Sequence, residues 1–510
     1  NICIVSIKMH TRFGCLSVLL FSLFILLSSC VKNKEQKRTP NVILILADDL
    51  GWTDLSFMGS NYYQTPNIDR LAKSGIAFYN AYASATNCSP SRASMLSGKY
   101  TTAHGIFTVG DSERGNKKTR KLIPIENKEE IGQDFFLIPE MLKTLGYTNG
   151  HFGKWHLGKE GHYPEQNGFD VNFGGCENGG PGKGGYTSPY DNPKIKDGPV
   201  GEYLTDRVGN EVVNFIDENQ NKTFFAYVPF YSVHTPIEPK LEYEKKYQKI
   251  KGDQYHNRAD FAGMIQSLDE NVGKILDKIQ ELDLIEKTLI IFTSDNGGIR
   301  SISNQFPLRA GKGSYYEGGI KVPLIFSWDK KITANTRSYD RVSNIDFFPT
   351  IKNIVGYKER IELEGVDLSP IFHNKKIQER SLFFHFPIYL EPYDVYKDNG
   401  TDPLFRTKPG SVIIKNDWKL HHYFENNSIE LYNIKDDVSE SKNLSKENKE
   451  KTNELFEELN KWRKLNNAPI PNKINSDYDP IFVDSLLNLI ENKKIKKRIS
   501  SDLDLSKFYK

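Results

Sequence analysis

The sequence predicts an α/β fold, in which a mostly parallel central sheet is sandwiched by helices and a smaller C-terminal domain is built on a short antiparallel sheet and a helix. Residues 41–47 form a nearly continuous apolar run, which is typical of a strand buried on both faces of a parallel sheet. Strand-like and helix-like patterns then alternate along the chain, which favours helices on both faces of that sheet. After about residue 374 the apolar segments become short and β-like, with Asn-containing turns between them.

The individual elements follow from local patterns. Thr65 and Pro66 indicate the start of a helix that ends at Gly75. Residues 260–282 place apolar side chains at helical spacing, which predicts a long amphipathic helix. We expect a helix also at 138–145 and strands at 76–82, 147–152, 223–230, 289–293 and 322–326. In the C-terminal part, strands are predicted at 381–386, 411–414, 418–424 and 429–432 and a helix at 447–466. The pattern of residues 474–510 does not decide between a docked helix and a mobile tail.

Composition excludes some classes of protein. The chain has 510 residues, of which 26% are charged and 38% hydrophobic, as in soluble globular proteins. The formal net charge of +3 is close to balance, so composition gives no indication of nucleic-acid binding.

The N-terminal segment predicts export. After Met9, residues 15–27 are almost wholly apolar but too short to span a bilayer as a helix, which indicates a signal peptide at 9–30 and an over-extended start at 1–8. The Leu-Ser-Ser-Cys sequence that ends at Cys30 resembles a bacterial lipobox, so we expect Cys30 to be lipidated. Residues 31–39 then form a charged tether. The protein is expected to be anchored to a membrane, in the periplasm or at the outer-membrane surface. Ordinary signal cleavage beside a chance cysteine is the alternative.

Cysteine usage singles out Cys88. If processing occurs at Cys30, only Cys88 and Cys176 remain as thiols in the folded body. An exported protein without a disulfide framework does not use these residues as cross-links, so Cys88 needs another explanation.

Charged and metal-competent side chains follow several predicted strands. Ligands of open α/β sheets bind beyond the carboxyl ends of the strands, where such side chains meet. The side chains that follow predicted strands here are Asp48, Asp49, Lys154, His156, His234, Asp295 and Asn296. The Asp and Asn oxygens are hard ligands that suit Ca²⁺, or less well Mg²⁺, and a zinc site would need His or Cys. For Asp295 and Asn296 taken alone, a simple turn is an equally good interpretation.

Cys88 is predicted to lie at a helix N-terminus. Ser89 is the expected cap, Pro90 the first helical residue, and Gly98 the end. Backbone donors at such a terminus favour an anion. For a lone cysteine, an inert half-buried thiol is the alternative.

Several motifs in the first part of the chain resemble one enzyme family. The sequence Cys-Ser-Pro-Ser-Arg-Ala-Ser-Met-Leu-Ser-Gly at 88–98 resembles the first signature of the type I sulfatases, in the alkaline-phosphatase-like superfamily. Gly-Lys-Trp-His-Leu-Gly at 153–158 resembles the second signature. Segments 47–52, 233–236, 294–297 and 311–319 also match, in the family's order.

The resemblance implies a mechanism. A maturation enzyme would convert Cys88 to formylglycine, whose hydrate attacks the sulfur of a sulfate ester. Calcium, held by Asp48, Asp49, Asp295 and Asn296, would contact residue 88. Arg92 would hold the hydrate, and Lys154 and Lys312 would bind sulfate oxygens. His156 would act as the base and His234, with Lys312, as the acid.

Other inferences concern the substrate. The expected substrate is a sulfated carbohydrate, namely an oligosaccharide from a degraded polysaccharide. Weak candidates for reading a sugar ring or a neighbouring sulfate are His104, Arg309, His385 and Arg406, which suit a surface or packing role equally well. Two alternatives remain: a phosphate or phosphonate monoester hydrolase of the same superfamily, and a non-catalytic glycan-binding lipoprotein.

Overall fold

The computed structural model describes residues 39–497. The predicted signal peptide, the lipidation site Cys30 and residues 31–38 of the tether lie outside the described residues. From Pro40 onward the chain forms one compact unit. In the described part, no helix is both long enough and apolar enough to cross a bilayer.

A large, mostly parallel sheet forms the centre of this unit, as predicted. Its strands are β1 (Asn41–Ala47), β2 (Ile76–Tyr82), β3 (Thr148–Phe152), β4 (Val171–Phe173), β5 (Phe224–Pro229), β6 (Thr288–Ser294), β7 (Lys321–Ser327), β8 (Thr336–Ser338) and β9 (Val342–Ser343). The order across the sheet is β4-β3-β5-β1-β6-β7-β2-β8, and β9 pairs with β2. Strand β7 runs antiparallel to β6 and β2, and the other pairs are parallel.

Helices cover both faces of the sheet. They are α1 (Pro66–Lys73), α2 (Cys88–Ser97), α3 (Thr101–His104), α4 (Ile138–Thr144), α5 (Leu204–Asn219), α6 (Leu241–Tyr247), α7 (Ala259–Glu281), α8 (Glu317–Ile320) and α9 (Phe347–Ile354). Side chains of β1 alternate between two apolar clusters, with Ile43 and Ile45 in one and Leu44 and Leu46 in the other. Burial of this strand on both faces explains its continuous apolar run.

A second, antiparallel sheet follows and confirms the predicted change of architecture. It consists of β10 (Leu382–Phe386), β11 (Gly410–Lys415), β12 (Trp418–Tyr423) and β13 (Ser428–Asn433), followed by helices α10 (Lys449–Leu465) and α11 (Pro480–Lys497). Residues 480–497 form a helix, whereas the sequence alone did not decide between a docked helix and a mobile tail there. The division into a catalytic domain at 40–374 and a C-terminal subdomain at 375–510 stays a prediction.

The structure differs from the sequence-based expectations in several places. Helix α2 begins at Cys88 itself, after Asn87, so Ser89 is not its cap. Helices α3, α5, α6, α8 and α9 and strands β4, β8 and β9 were not predicted. The buried residues Leu204, Val208, Val212 and Phe215 of α5 recur at helical spacing, so the sequence did carry a signal for that helix. In α6 only Tyr247 is buried, and its sequence shows no such pattern.

Candidate active site

The register of the central strands brings the predicted site residues together. Ala47 at the end of β1 is level with Ser294 at the end of β6, so Asp48 and Asp295 follow side by side. On the other side of β1, Leu46 is level with Pro229 at the end of β5. Lys154, which follows β3, donates its backbone N–H to the carbonyl of Pro229 at 2.8 Å. The carboxyl ends of these strands therefore form one edge at which these side chains meet.

Cys88 lies at this edge, as the first residue of α2. The side chain of Asn87 donates to Thr108 and makes no capping bond, so the helix N-terminus faces the site without a side-chain cap. The sulfur lies 3.4 Å from Asp48 Oδ1, 3.8 Å from Asp49 Oδ1 and 3.3 Å from Lys312 Nζ. Burial raises the pKa of the Cys88 thiol, although Lys154 and Lys312 oppose this effect. The unmodified thiol is therefore a protonated, poor nucleophile.

Buried carboxylates and buried cations alternate around this sulfur. Lys154 Nζ lies 2.8 Å from Asp48 Oδ2, and Lys312 Nζ lies 2.7 Å from the Asp49 carboxylate. Arg92 Nε and Nη2 both lie 2.9 Å from Asp295 Oδ2. Each of these side chains is less than a tenth exposed. Such burial is expected only where charges are paired.

The pKa values of these carboxylates diverge for physical reasons. Burial, opposed by Lys154, raises the pKa of Asp48 to about 7. Burial would also raise the pKa of Asp49, but Lys312 and His234 outweigh it and hold that pKa below its usual range. Asp49 also has a φ of 63°, in the left-handed region that is costly for a residue with a Cβ.

Metal-competent donor atoms meet beside Cys88. Donor atoms of Asp48, Asp49, Cys88 and His234 all lie within 4.8 Å of one another; this group contains a sulfur and a ring nitrogen, and Asp295 is not part of it. Asp295 Oδ1 accepts the backbone N–H of Asp49 at 3.2 Å, which brings a further carboxylate next to the group. Asn296 donates its Nδ2 to Asp49 Oδ1 at 2.8 Å, while its Oδ1 is buried and has no hydrogen-bond partner. An unpartnered amide oxygen beside carboxylates is a ligand suited to calcium or magnesium. Arg92, Lys154 and Lys312 already balance the charges of Asp48, Asp49 and Asp295, so a divalent cation would leave a positive site for an anionic substrate.

The two predicted catalytic histidines lie at the mouth of the cluster. His234 Nδ1 lies 2.7 Å from the carbonyl of Thr235, which can only accept, so Nδ1 carries the proton and Nε2 of the neutral ring has the lone pair. Nε2 lies 3.6 Å from Asp49 Oδ2. Burial, reinforced by the neighbouring lysines, lowers the pKa of His234 to about 3 and that of His156 well below its usual range.

A glycine-rich segment, residues 174–185, packs against both histidines. A Cβ at Gly179 would lie 2.7 Å from His156 Cε1, and one at Gly180 would lie 3.4 Å from His234 Nδ1. The glycine content of this segment predicts a surface loop, and the structure confirms a loop, but its contact with the site was not predicted. Its two consecutive glycines at 179 and 180 were the available signal, because close approach to another group is a common reason for glycine.

A cavity of about 330 Å³ opens beside His156. Most of its lining residues carry polar side chains; the lining comprises Ser89, Thr108, Val109, Gly110, Glu129, Glu130, His156, Gly158, Lys159 and Glu177. The volume is within the range of small-molecule sites, and Ser89 directly follows Cys88. The cavity is therefore accessible space next to the candidate nucleophile.

The four weak candidates for contacts with the substrate lie in different surroundings. His104 and His385 are almost fully buried, and hydrogen bonds to both ring nitrogens of each hold them in the core: His104 with Ser94 and Ile106, His385 with Ser411 and Pro469. Neither is brought to the cluster. Arg309 donates to the carbonyls of Glu440 and Asn399 and thus ties its own loop to the C-terminal sheet region. Arg406 lies against Gly313, next to Lys312.

The loop that carries Lys312 is fixed by a second group of buried charges. Glu317 and Glu440 both pair with Lys419 of β12, at 3.1 Å and 2.9 Å. The backbone N–H of Glu317 also donates to Glu440 Oε2 at 2.6 Å. Lys419 is fully buried, so this group connects the C-terminal sheet to the loop of Lys312 without access to solvent.

Two family models match the chain. The model described as sulfatase matches residues 40–357, which contain the site residues of the strand edge and Lys312. The model described as N-sulphoglucosamine sulphohydrolase, C-terminal, matches residues 311–465, which contain the antiparallel sheet. The family assignment therefore includes the part of the chain in which the sequence offered no motif.

Individual proteins that resemble this chain are sulfatases as well. A sulfatase of Formosa agariphila is 34% identical and covers 89% of this chain and 94% of its own. N-acetylgalactosamine-6-sulfatase of Canis lupus familiaris is 31% identical over 68% of each chain. A crystal structure of Ps i-CgsB in complex with k-i-k-neocarrahexaose is 31% identical, has a TM-score of 0.69, and covers 87% of this chain and 94% of its own.

Proposed function

We propose that this chain, which belongs to the sulfatase family of sulfuric ester hydrolases, releases sulfate from a sulfated carbohydrate by means of a formylglycine at position 88 and a bound calcium ion. The observation that carries the proposal is the position of Cys88, at an uncapped helix N-terminus between paired carboxylates and two lysines. A nucleophile at this position meets positive charge on one side and metal-competent oxygens on the other.

Formylglycine would supply, in its hydrated form, two hydroxyls on one carbon: one would attack the sulfur and release the alcohol, and collapse of the other to the aldehyde would then expel sulfate, an exit that neither Cys nor Ser offers. Arg92 orients this residue from one helical turn away, because its guanidinium is fixed between Asp295 and the carbonyl of Lys154. Lys312, with its Nζ 3.3 Å from the sulfur of Cys88, is positioned to hold the sulfate group against residue 88. Lys154 is fully buried and lies 2.8 Å from Asp48 Oδ2, which favours the ionised form of Asp48 and opposes the rise in pKa that burial causes.

The histidines are proposed to move the protons. His234 would deliver a proton to the leaving oxygen through Nε2, since its Nδ1–H is held by Thr235. In the free protein Nε2 carries a lone pair, so this role requires the protonated ring, a form that a bound anionic sulfate ester would favour. His156 would act as the base at residue 88 from its position on the cavity wall. The glycines at 179 and 180 allow the loop to press against both rings and fix their orientation.

Calcium would be held by Asp48, Asp49, Asp295 and Asn296 together with residue 88. When bound, it would supply positive charge for the sulfate oxygens and lower the pKa of the nucleophile. The unpartnered Asn296 Oδ1 supports this proposal. We expect calcium to raise the unfolding temperature, because a ligand at a hundred times its Kd stabilises the folded state by about 2.7 kcal/mol. Asp48→Asn should remove most of this calcium-dependent shift, and an equal shift in both proteins would argue against the site.

A carbohydrate substrate is supported by two independent observations. The relatives that match most of this chain include an enzyme named for N-acetylgalactosamine 6-sulfate and a structure solved with a neocarrahexaose. The cavity beside His156 has room for more than the sulfate group, and most of its lining residues carry polar side chains, although apolar atoms form most of its surface. An exported protein of this kind would act on oligosaccharides from a degraded polysaccharide.

Sulfate release from a panel of defined sulfated oligosaccharides tests this proposal most directly. We expect turnover of at least one oligosaccharide and slower release of phosphate from an aryl phosphate than of sulfate from an aryl sulfate. Activity on aryl sulfates but on no glycan would contradict the carbohydrate assignment. Faster hydrolysis of the aryl phosphate would favour a phosphate or phosphonate monoester hydrolase. Binding of glycans without any turnover by matured protein would favour a non-catalytic binding protein.

The modification has its own test. Production with a formylglycine-generating maturation enzyme should lower the mass of the peptide that contains Cys88 by about 18 Da, because this covalent change converts a thiol to an aldehyde. Full activity of a protein with unmodified Cys88 would refute the proposed nucleophile.

Export as a lipoprotein is proposed from the N-terminal sequence alone. The full-length chain should incorporate labelled palmitate and fractionate with membranes, and Cys30→Ser should abolish both. Label that persists in the variant would contradict lipidation at Cys30.

A further inference from the structure

Arg406 is a buried cation without an anionic partner. Its side chain is only 7% exposed, and its Nε and Nη1 are buried without a hydrogen-bond partner in the described part of the chain. A buried guanidinium is normally held by carboxylates or carbonyls, because an unpaired desolvated charge is unfavourable. An unpaired guanidinium in the core therefore suggests a ligand that is absent from the free protein.

The position of Arg406 relates it to the active site. A Cβ at Gly313 would lie 2.6 Å from Arg406 Nε, so the guanidinium lies against the backbone of the residue that follows Lys312. The hydroxyl of Thr407 donates to the carbonyl of Gly313 at 2.7 Å. In turn, the N–H of Gly313 donates to the carbonyl of Thr86, two residues before Cys88, at 3.0 Å. Arg406 is thus attached to the loop that holds Lys312 near the nucleophile.

The nearby acidic residues are engaged elsewhere. Glu391 forms a bidentate pair with Arg114, at 2.8 Å and 3.1 Å for the two closest contacts. Asp398 accepts the backbone N–H of Tyr393 at 2.6 Å, and Asp402 pairs with Lys408 at 2.8 Å. The charge of Arg406 is therefore not neutralised by a direct pair with any of these carboxylates.

Tyr393 orients the guanidinium. The ring centroid of Tyr393 lies 3.5 Å from Arg406 Cζ, so the ring covers one face of the guanidinium and leaves its N–H edge for a ligand. Tyr393 itself is 45% exposed, which brings this pair to the surface. A cavity of about 170 Å³ adjoins Arg406, and Asp398 and Asp402 also line it, so an anion would have to lie at its Arg406 end.

We infer that Arg406, stacked on Tyr393, forms an anion subsite for a second oxyanion of the substrate, either a sulfate ester or a carboxylate carried next to the sulfate that is removed. This inference rests on the proposed function, because it assumes a carbohydrate with more than one anionic group. The planar fork of an arginine can bind either group through two parallel N–H donors. The enzyme would accordingly prefer multiply charged oligosaccharides to singly sulfated ones.

Matched substrates test the subsite. Matured wild type and Arg406→Gln are compared on oligosaccharides that share the scissile sulfate and differ in one neighbouring group, which is a hydroxyl, a second sulfate or a uronic carboxylate. We expect wild type to prefer one or both of the doubly charged substrates in kcat/KM. In Arg406→Gln this preference should fall about tenfold to a hundredfold, as for loss of a charge-assisted bidentate contact. The sulfate and carboxylate arms identify which oxyanion the subsite takes.

Two further proteins control for folding and geometry. Arg406→Lys keeps the charge without the fork and should retain part of the preference. Arg463→Gln removes another buried arginine, which is stacked on Phe424 at 5.4 Å, and should leave the preference as in wild type. A preference that is absent in wild type, or unchanged in Arg406→Gln, would overturn the inference.

Inhibition separates this inference from the proposed function. If wild type hydrolyses an aryl sulfate but none of the three oligosaccharides, the carbohydrate assignment fails. The oligosaccharides can then be measured as competitive inhibitors of aryl sulfate hydrolysis. Tighter inhibition by a doubly charged glycan in wild type, lost in Arg406→Gln, would still support the subsite, and equal inhibition would refute it.

Discussion

Two clusters of buried charge adjoin the loop that carries Lys312, and they differ in their access to open space and in the groups that surround them. The nucleophile cluster consists of Cys88 with Asp48, Asp49, Asp295, Asn296, Arg92, Lys154 and Lys312. The anchor cluster consists of Glu317, Lys419 and Glu440. Every member of both is almost fully buried. Burial of charge alone therefore does not identify an active site.

The difference lies in access and in the neighbouring groups, because each cluster contains a buried oxygen without a hydrogen-bond partner among the described residues, Asn296 Oδ1 in the first and Glu440 Oε1 in the second. The nucleophile cluster adjoins His156 and His234, of which His156 lines a cavity. In the anchor cluster, Glu317 accepts from Tyr82 and Lys419, while Glu440 accepts from the backbone of Glu317 and lies 2.9 Å from Lys419 Nζ. We therefore expect substitutions in the first cluster to reduce activity, and substitutions in the second to reduce stability.

The largest expected effect concerns the two buried cysteines. Cys88→Ala should lower kcat/KM for sulfate release by about a thousandfold or more, because it removes the proposed nucleophile. Its unfolding temperature should stay close to that of wild type, since a buried thiol behaves as a small apolar group. Cys176→Ala is the matched control, because the contact of Cys176 with His156 is made by its backbone carbonyl. Residual activity in Cys88→Ala equal to that of Cys176→Ala would contradict the distinction between the clusters.

Lys419→Met should show the opposite behaviour. It leaves Glu317 and Glu440 buried without their shared cation, which we expect to lower the free energy of unfolding by about 3–5 kcal/mol. The folded fraction should keep kcat/KM within about tenfold of wild type, since no reacting group is lost. Denaturant unfolding and sulfate release measure the two effects.

Lys415→Met is the control for that prediction. Lys415 lies in β11 of the same sheet and pairs with Glu454 and Glu458 of α10. Its side chain is about one-third exposed, so its loss should lower the free energy of unfolding by less than about 1 kcal/mol. A fully stable Lys419→Met protein without activity would assign the anchor cluster to catalysis.

The anchor cluster should also respond to pH in a characteristic way. Burial, opposed by Lys419 and reinforced by Glu317, raises the pKa of Glu440 from 4.5 to about 7. Between these values the folded protein holds a proton that the unfolded chain has lost, so stability falls as the pH rises through this window. Glu440→Gln removes that titration. Relative to the variant, wild type should lose on the order of 2 kcal/mol of unfolding free energy between pH 5 and pH 8. Parallel pH profiles of the two proteins would show that Glu440 is ionised throughout.

The two clusters also differ in how far the sequence predicts them. Most of the nucleophile cluster was predicted because strand ends in an α/β sheet converge, so residues that are far apart in sequence were placed at one edge by topology. Arg92 and Lys312 were assigned to the site only by the family resemblance. The anchor cluster was not predicted. Lys419 and Glu440 lie in and beyond the antiparallel sheet, and no pattern in their own segments indicates which part of the catalytic unit they contact.

The same limit explains the treatment of other residues. His104 and His385 were weak candidates for reading a sugar ring or a neighbouring sulfate, and their hydrogen-bond partners in the core become visible only in the tertiary structure. Arg406 was another weak candidate, and its missing partner is again a tertiary property. The glycine-rich loop was correctly predicted as a loop, yet its contact with two histidines depends on how it folds back over the sheet edge.

That loop provides the smallest expected effect and the closest test of the nucleophile cluster. A Cβ at Gly179 would lie 2.7–2.8 Å from atoms of the His156 ring, so Gly179→Ala must displace the ring or the loop. A small misplacement of a catalytic group lowers the rate without unfolding the protein, and we expect kcat to fall about tenfold. At Gly180 the nearest atom, His234 Nδ1, would be 3.4 Å away, an ordinary contact, so Gly180→Ala should change kcat by less than about threefold. Steady-state kinetics of both variants measures the difference. If Gly180→Ala were the more damaging change, contact of the loop with His234 and not with His156 would limit the reaction, and the proposed roles of the two rings would have to be exchanged or revised.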